Sequence, residues 1–183
     1  MITLKKALNT KNMVITALLI AFGIIIPTAF GFLRVILPPA FTATLTAHVP
    51  VFIAMFISPM SAIFTAIGTT IGFWFSGLDP VVVVRAASHI VFAVVGAYMV
   101  QKKFNILLTG VVTALLHAAF EALTVYVFLA LGWTQGSGSF VSIAFYTTGI
   151  GTLIHHAIDY IIAIVLLKAL SKTGAIKALP NWF

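Results

Sequence analysis

Cysteine is missing from the 183 residues, which excludes disulfides, thiolate metal sites and a cysteine nucleophile. Charge is nearly missing too. Only 7% of the chain is Asp, Glu, Lys or Arg, where a soluble domain carries about 25%. The acidic side chains number three, Asp79, Glu121 and Asp159, too few to solvate a globular surface. Known catalytic signatures are also wanting. There is no P-loop, no G-x-S-x-G, no dinucleotide fingerprint and no H-E-x-x-H. Nothing in the chain is therefore expected to hydrolyse ATP or act as an enzyme, and no metal site or cofactor is expected.

What fills the chain is apolar: 62% of residues are hydrophobic. The excess of ten basic over three acidic residues would suggest nucleic acid in a soluble protein. Here the cations cluster at segment ends, so they read as an orientation signal in a lipid bilayer, with no nucleic-acid partner.

A bilayer-crossing helix needs about 20 mostly apolar residues. Such runs extend from Met13 to about Leu33, from Val81 to Val100, from about Phe104 to Leu131 and from about Phe140 to Leu170. The first is longer than a secretory signal core and lacks a cleavage site, so it reads as a helix that kinks or stops near Pro27. Two shorter runs, Thr42 to Ile57 and Met60 to Phe75, flank the Ser58-Pro59 turn and read as thin spans or a tightly turned hairpin. The expectation is an all-α integral membrane protein of six transmembrane helices, one domain spanning residues 1–183. The runs are continuously apolar rather than alternating, which excludes a membrane β-barrel.

An even number of crossings puts both termini on one side. With that side cytoplasmic, the inner segments hold Lys5, Lys6, Lys11, Lys102, Lys103, Lys168, Lys172 and Lys177, eight of the ten basic residues. Arg34 then falls in an outer loop and Arg85 within a helix. Trp74 and Trp133 fall where an interfacial aromatic belt is expected.

Ionisable side chains within spans are costly and therefore point to function. The candidates are His48, Arg85, His89, His117, Glu121, His155, His156 and Asp159; Asp79 lies in an outer turn and reads as solvated. By depth, His48, Arg85, His89 and Glu121 converge on one outward-facing pocket, with Arg85 and Glu121 as charge partners. His155 and His156 point to different faces, so neither forms an obvious metal pair. The plainer readings are a helix-locking Arg85–Glu121 pair and histidines that merely bridge neighbouring helices. Gly68, Gly72, Gly149 and Gly151 are expected at close helix contacts, and Ala17 and Ala21, four apart, make a flat face on the first helix.

The whole chain, with the local pattern Phe41-Thr42-Ala43-Thr44-Leu45-Thr46-Ala47-His48-Val49-Pro50-Val51-Phe52 through Ser58-Pro59 and then Arg85-Ala86-Ala87-Ser88-His89, resembles the substrate-binding S component of an energy-coupling factor (ECF) vitamin transporter. The likeness is to those assigned to small ring vitamins: niacin first, then hydroxymethylpyrimidine and pyridoxine. The resemblance implies a subunit that captures vitamin from outside. A separate transmembrane scaffold subunit and two ATPase subunits would energise uptake. It further implies docking on the scaffold through Ala17 and Ala21. The pocket would be built by the first outer loop and helices four to six, which here hold Arg34, Arg85, His89, Glu121 and His155, with His48 added by depth. Because the polar residues of helix six run deep, His156 and Asp159 fit this pocket less well. A buried guanidinium suits the planar carboxylate of nicotinate, provided Glu121 does not neutralise it. The competing readings are a stand-alone ion- or proton-coupled carrier and, without any supporting motif, a membrane enzyme using His155, His156 and Asp159.

Overall fold

The computed structural model describes residues 9–38 and 40–174; Lys5, Lys6, Pro39 and Lys177 lie outside them. Helix α1 (Thr10–Ala29) is capped by Asn9, whose side chain accepts from the Asn12 amide. Pro27 falls in its last turn, where it offers no N–H to the Gly23 carbonyl, and the helix ends two residues later. A single 3₁₀ turn (Gly31–Leu33) leads into an antiparallel hairpin, β1 (Arg34–Leu37) and β2 (Phe41–Thr44), with Arg34 opposite Thr44 and Leu37 opposite Phe41. Helices α2 (Val49–Met55), α3 (Pro59–Phe75), α4 (Pro80–Gln101) and α5 (Ile106–Ala130) follow. A wide π-type stretch (Ser142–Ile150) then runs without a break into α6 (Gly151–Lys172).

The expected second span, Thr42 to Ile57, is not one helix. Its first residues are strand β2, and only seven residues, Val49–Met55, are helical. Three causes act together. Thr42 and Thr44 are β-branched and suit a strand. Thr46 adopts a left-handed backbone, φ 70°, which breaks any regular element. Pro50 is tolerated only at the start of a helix. Four helical segments are long and apolar enough to cross a membrane: Thr10–Ala29, Pro80–Gln101, Ile106–Ala130 and Ser142–Lys172. Helix α3 is shorter at 17 residues, roughly 25 Å.

The outward faces of the long helices carry Leu18, Phe22, Leu107, Leu115, Ile161 and Val165, all exposed. The buried faces instead hold the polar groups. This inversion of the soluble pattern is that of a protein solvated by lipid.

Helix α1 lies against α3 along a seam of glycines. A Cβ placed on Gly72 would sit 2.6 Å from the Gly23 carbonyl oxygen and from the Ile24 Cα, and one on Gly68 would meet the Ile20 side chain at 2.6 Å. Small residues thus permit backbone approach, as expected for Gly68 and Gly72. Gly151 similarly makes room for the Phe41 ring. Lys11 Nζ donates to the Gly174 carbonyl at 3.0 Å, so the two ends of the described chain meet at one end of the bundle. Asp79 does more than face solvent: its carboxylate accepts from the Val81 amide at 3.3 Å and caps α4.

Two apolar clusters bracket the middle. One, with Phe52, Met55, Phe92, Tyr160 and Leu167, fills the half of the bundle nearer the termini. The other, with Ala40, Phe73, Val82, Val125 and Phe128, lies under the hairpin. The polar site sits between them.

Candidate ligand-binding site

Helical periodicity sets the walls. On α4, Val82, Arg85, His89 and Phe92 recur at three- and four-residue spacing and are all buried. On α5 the buried stripe is Gly110, Thr113, His117, Glu121 and Val125. On α6 it is Thr152, His156, Asp159, Tyr160 and Ala163. The hairpin and the turn after it close the site from one end. The resulting cleft is lined by Thr42, Thr44, His48, Arg85, His89 and Glu121, with Phe73 and His155 beside them. It is narrow, with about 260 Å³ between its walls even when the part open to solvent is counted.

Arg85 and Glu121 form an ion pair at 2.7 Å, both side chains almost fully enclosed. The guanidinium also donates from Nη1 to the Ala40 carbonyl (2.8 Å) and from Nη2 to the Thr42 carbonyl (3.3 Å), and it lies 5.4 Å from the centre of the Phe41 ring. Arg85 therefore fastens the hairpin to α4. Its Nε, enclosed by protein, makes no hydrogen bond among the described residues, and neither does Thr42 Oγ1. Glu121 is shared by four groups. Its Oε2 accepts from Arg85 and from Thr152 Oγ1, and its Oε1 lies 3.2 Å from His89 Nε2 and 3.4 Å from His117 Nε2.

Asp159 organises the other side. Its Oδ1 accepts from the Thr46 amide (2.8 Å), and its Oδ2 accepts from the His48 amide (3.0 Å) and from His48 Nδ1 (3.0 Å). His155 Nε2 stands 3.1 Å from Asp159 Oδ2 and 3.1 Å from the Thr44 carbonyl. One carboxylate on α6 thus fixes the turn that carries His48. Asp159 is a positioning residue rather than a wall of the cleft. His156 faces away from the cleft, toward Thr113 and His117, so the two adjacent histidines do point to different faces.

Comparison with known proteins supplies the family. No family model matches the chain, and no solved structure matches it. The niacin transporter NiaX of Lactococcus lactis subsp. cremoris (strain MG1363) is 36% identical over 177 residues, covering 93% of this chain and 79% of the relative. The chain belongs to the NiaX family. The S-component resemblance drawn from Phe41–Pro59 and Arg85–His89 is thus a family relationship extending over nearly the whole length.

Within this NiaX-type chain, five of the six expected binding residues converge: His48, Arg85, His89, Glu121 and His155 all line the cleft. Arg34 does not. Its guanidinium is spent on the end of α1 and on the facing strand, donating from Nη2 to the Pro27 carbonyl (2.6 Å) and from Nε to Thr44 Oγ1 (3.2 Å). Ala17 and Ala21 are exposed on the face of α1 opposite its seam with α3. The threonines Thr42, Thr44 and Thr152 escaped the sequence reading because threonine is unremarkable in a span. The alternation of Thr42 and Thr44 in a β-branched stretch was the one available signal.

Proposed function

We propose that this chain captures niacin from outside the cell as the substrate-binding subunit of an ECF-type ABC importer. The observation that carries this reading is the 36% identity to niacin transporter NiaX over 93% of the chain. The family relationship and the apolar helices support its reading as a membrane transport protein.

The geometry changes the reasoning about the ligand. A free guanidinium was the sequence-level argument for nicotinate, and Arg85 is not free, since Glu121 pairs with it at 2.7 Å. Recognition is then by shared contacts. Nicotinate would lay its carboxylate against Arg85 Nε–H and the Thr42 hydroxyl, the two enclosed donors of the cleft without a protein partner among the described residues. Its flat ring would fit between Phe73 and the imidazoles of His48 and His89. The cleft is too narrow for a ring as it stands, so the β1–β2 hairpin would move outward on binding and close again over the ligand.

The remaining elements of the reading are architectural. The chain forms a single transmembrane domain with six crossings, the short α2 and α3 segments among them, and both termini lie in the cytoplasm. The exposed Ala17/Ala21 face docks on a transmembrane scaffold subunit that works with two ATPase subunits.

Titration calorimetry of the purified chain with nicotinate, nicotinamide, pyridoxine and hydroxymethylpyrimidine tests the ligand. Nicotinate is expected to bind most tightly. Tighter binding of pyridoxine or hydroxymethylpyrimidine would overturn the niacin reading.

A further inference from the structure

Five histidines in a protein with three acidic residues are more than one small vitamin needs, and their hydrogen bonds assign protons to specific nitrogens. His48 Nδ1 faces Asp159 Oδ2 at 3.0 Å. A carboxylate only accepts, so His48 carries its proton on Nδ1 and leaves the electron pair of Nε2 open. His89 Nε2 faces Glu121 Oε1 at 3.2 Å, which leaves His89 Nδ1 open by the same reasoning.

His117 Nδ1 lies 3.0 Å from His156 Nδ1, and His156 Nε2 lies 3.2 Å from the Thr113 hydroxyl. His117 Nε2 stands 3.4 Å from Glu121 Oε1. With its proton on Nδ1, toward His156, His117 presents the electron pair of Nε2 to the cluster. His89 Nδ1 and His117 Nε2 are enclosed and make no hydrogen bond among the described residues.

The three rings are mutual neighbours, with centroids 4.6 Å apart for His48–His89, 4.6 Å for His48–His117 and 4.7 Å for His89–His117. One ring nitrogen from each lies within 4.8 Å of the others. All three residues are at most 3% exposed. Phe52 and Phe92, fully buried, pack beneath them. Of the two buried carboxylates, Glu121 pairs with the Arg85 guanidinium, whereas Asp159 meets only amide and imidazole groups among the described residues.

From this geometry we infer that His48, His89 and His117 form a binding site for a divalent transition-metal ion of the zinc or cobalt class. Imidazole suits these metals. The groups that orient metal-bound histidines are already in place, since Asp159 and Glu121 each hold the far N–H of a ligating ring. The cation offsets the second buried carboxylate. His155 is not a ligand of this site, because its Nε2 is committed to Asp159 and the Thr44 carbonyl. The spacing of residues 48, 89 and 117 showed no metal motif because each ligand comes from a different element.

The inference does not rest on the niacin reading, and its test contains no vitamin. Tag-free full-length protein in detergent, first stripped with a chelator, is titrated with Co²⁺ and read by visible absorption, then back-titrated with Zn²⁺. The expected results are one ion per chain, the d–d bands of a nitrogen-ligated low-coordinate cobalt and a metal-dependent rise in melting temperature. His89→Gln and His117→Gln should abolish the bands. Asp159→Asn should weaken binding by about 10- to 100-fold. Asp79→Asn, remote from the cluster, should bind as the parent does. Melting curves of the stripped proteins check that each variant folds. A folded parent that takes up no stoichiometric Co²⁺ or Zn²⁺ would overturn the inference. Bands that persist in the folded His89→Gln/His117→Gln double variant would do the same, by placing the ion elsewhere. In either case His48, His89 and His117 are not together a metal site.

Discussion

Arg85 serves two roles at once, and a substitution separates them. It neutralises Glu121 and ties down the hairpin through the Ala40 and Thr42 carbonyls, while its Nε, without a partner among the described residues, is the donor we propose for nicotinate. Arg85→Gln is expected to weaken nicotinate binding by about 30- to 150-fold, the equivalent of roughly 2–3 kcal/mol for a lost charge-assisted contact. It should also lower the melting temperature, because Glu121 is left as a buried charge without its partner. Glu121→Gln frees the cation and should preserve or improve nicotinate affinity while also costing stability. Calorimetry of both variants, run beside melting curves, checks the pair. Unchanged nicotinate affinity in folded Arg85→Gln would leave Arg85 as a helix-locking residue alone. At Asp159 the expected loss is structural. Asp159→Ala removes the acceptor of the Thr46 and His48 amides, each buried donor so orphaned costing about 1–3 kcal/mol. A thermal melt should show it as a large drop, with Asp159→Asn intermediate.

Among the elements, α1 has two faces with opposite tolerances. The face toward α3 is a glycine seam in which a Cβ on Gly72 would strike backbone atoms of Gly23 and Ile24. No side-chain rotation relieves that contact, so Gly72→Ala should cost about 1–3 kcal/mol as an overpacked contact and lower the melting temperature. The other face, with Ala17 and Ala21, is exposed among the described residues. Ala17→Trp or Ala21→Trp should therefore leave the melting curve and nicotinate binding of the isolated protein nearly intact, yet abolish uptake in cells that supply the scaffold and ATPase subunits. If binding and uptake fell together, α1 would be part of the pocket rather than a docking face. The seam was legible in advance, since Gly68 and Gly72 stand four apart in an apolar run. The hairpin was not. Thr42 to Ile57 is as apolar as a span, and it is Asp159, over a hundred residues away, that pins Thr46 and His48 in a turn.

The molecule as a whole carries an orientation that charge alone argues. The contact of Lys11 with Gly174 places both ends of the described chain together, and the basic residues gather at that end and at Lys102-Lys103. With that end cytoplasmic, a single cysteine at Ser137 should react with an impermeant thiol reagent in intact cells, and one at Ser171 should not. The reverse labelling would invert the topology. The background is clean because the chain has no cysteine.

By itself the sequence determined the solvent, the four long helices and the cast of polar residues. Hydrophobic runs and scarce charge are local quantities, and the cost of an ionisable group in lipid marks each such group wherever it stands. Five of six binding candidates fell in one cleft because depth along a helix can be counted in residues. Partnership was decided only by tertiary structure. Arg34 and Arg85 look alike as lone cations in sequence, yet one is consumed by the end of α1 and the facing strand and the other is shared between Glu121 and the cleft. The gathering of His48, His89 and His117 likewise depends on how the turn after β2 sits against α4 and α5. Hydrogen bonds between elements depend on ångström distances and on angles, and a linear pattern specifies the faces of helices without specifying which atoms meet across them.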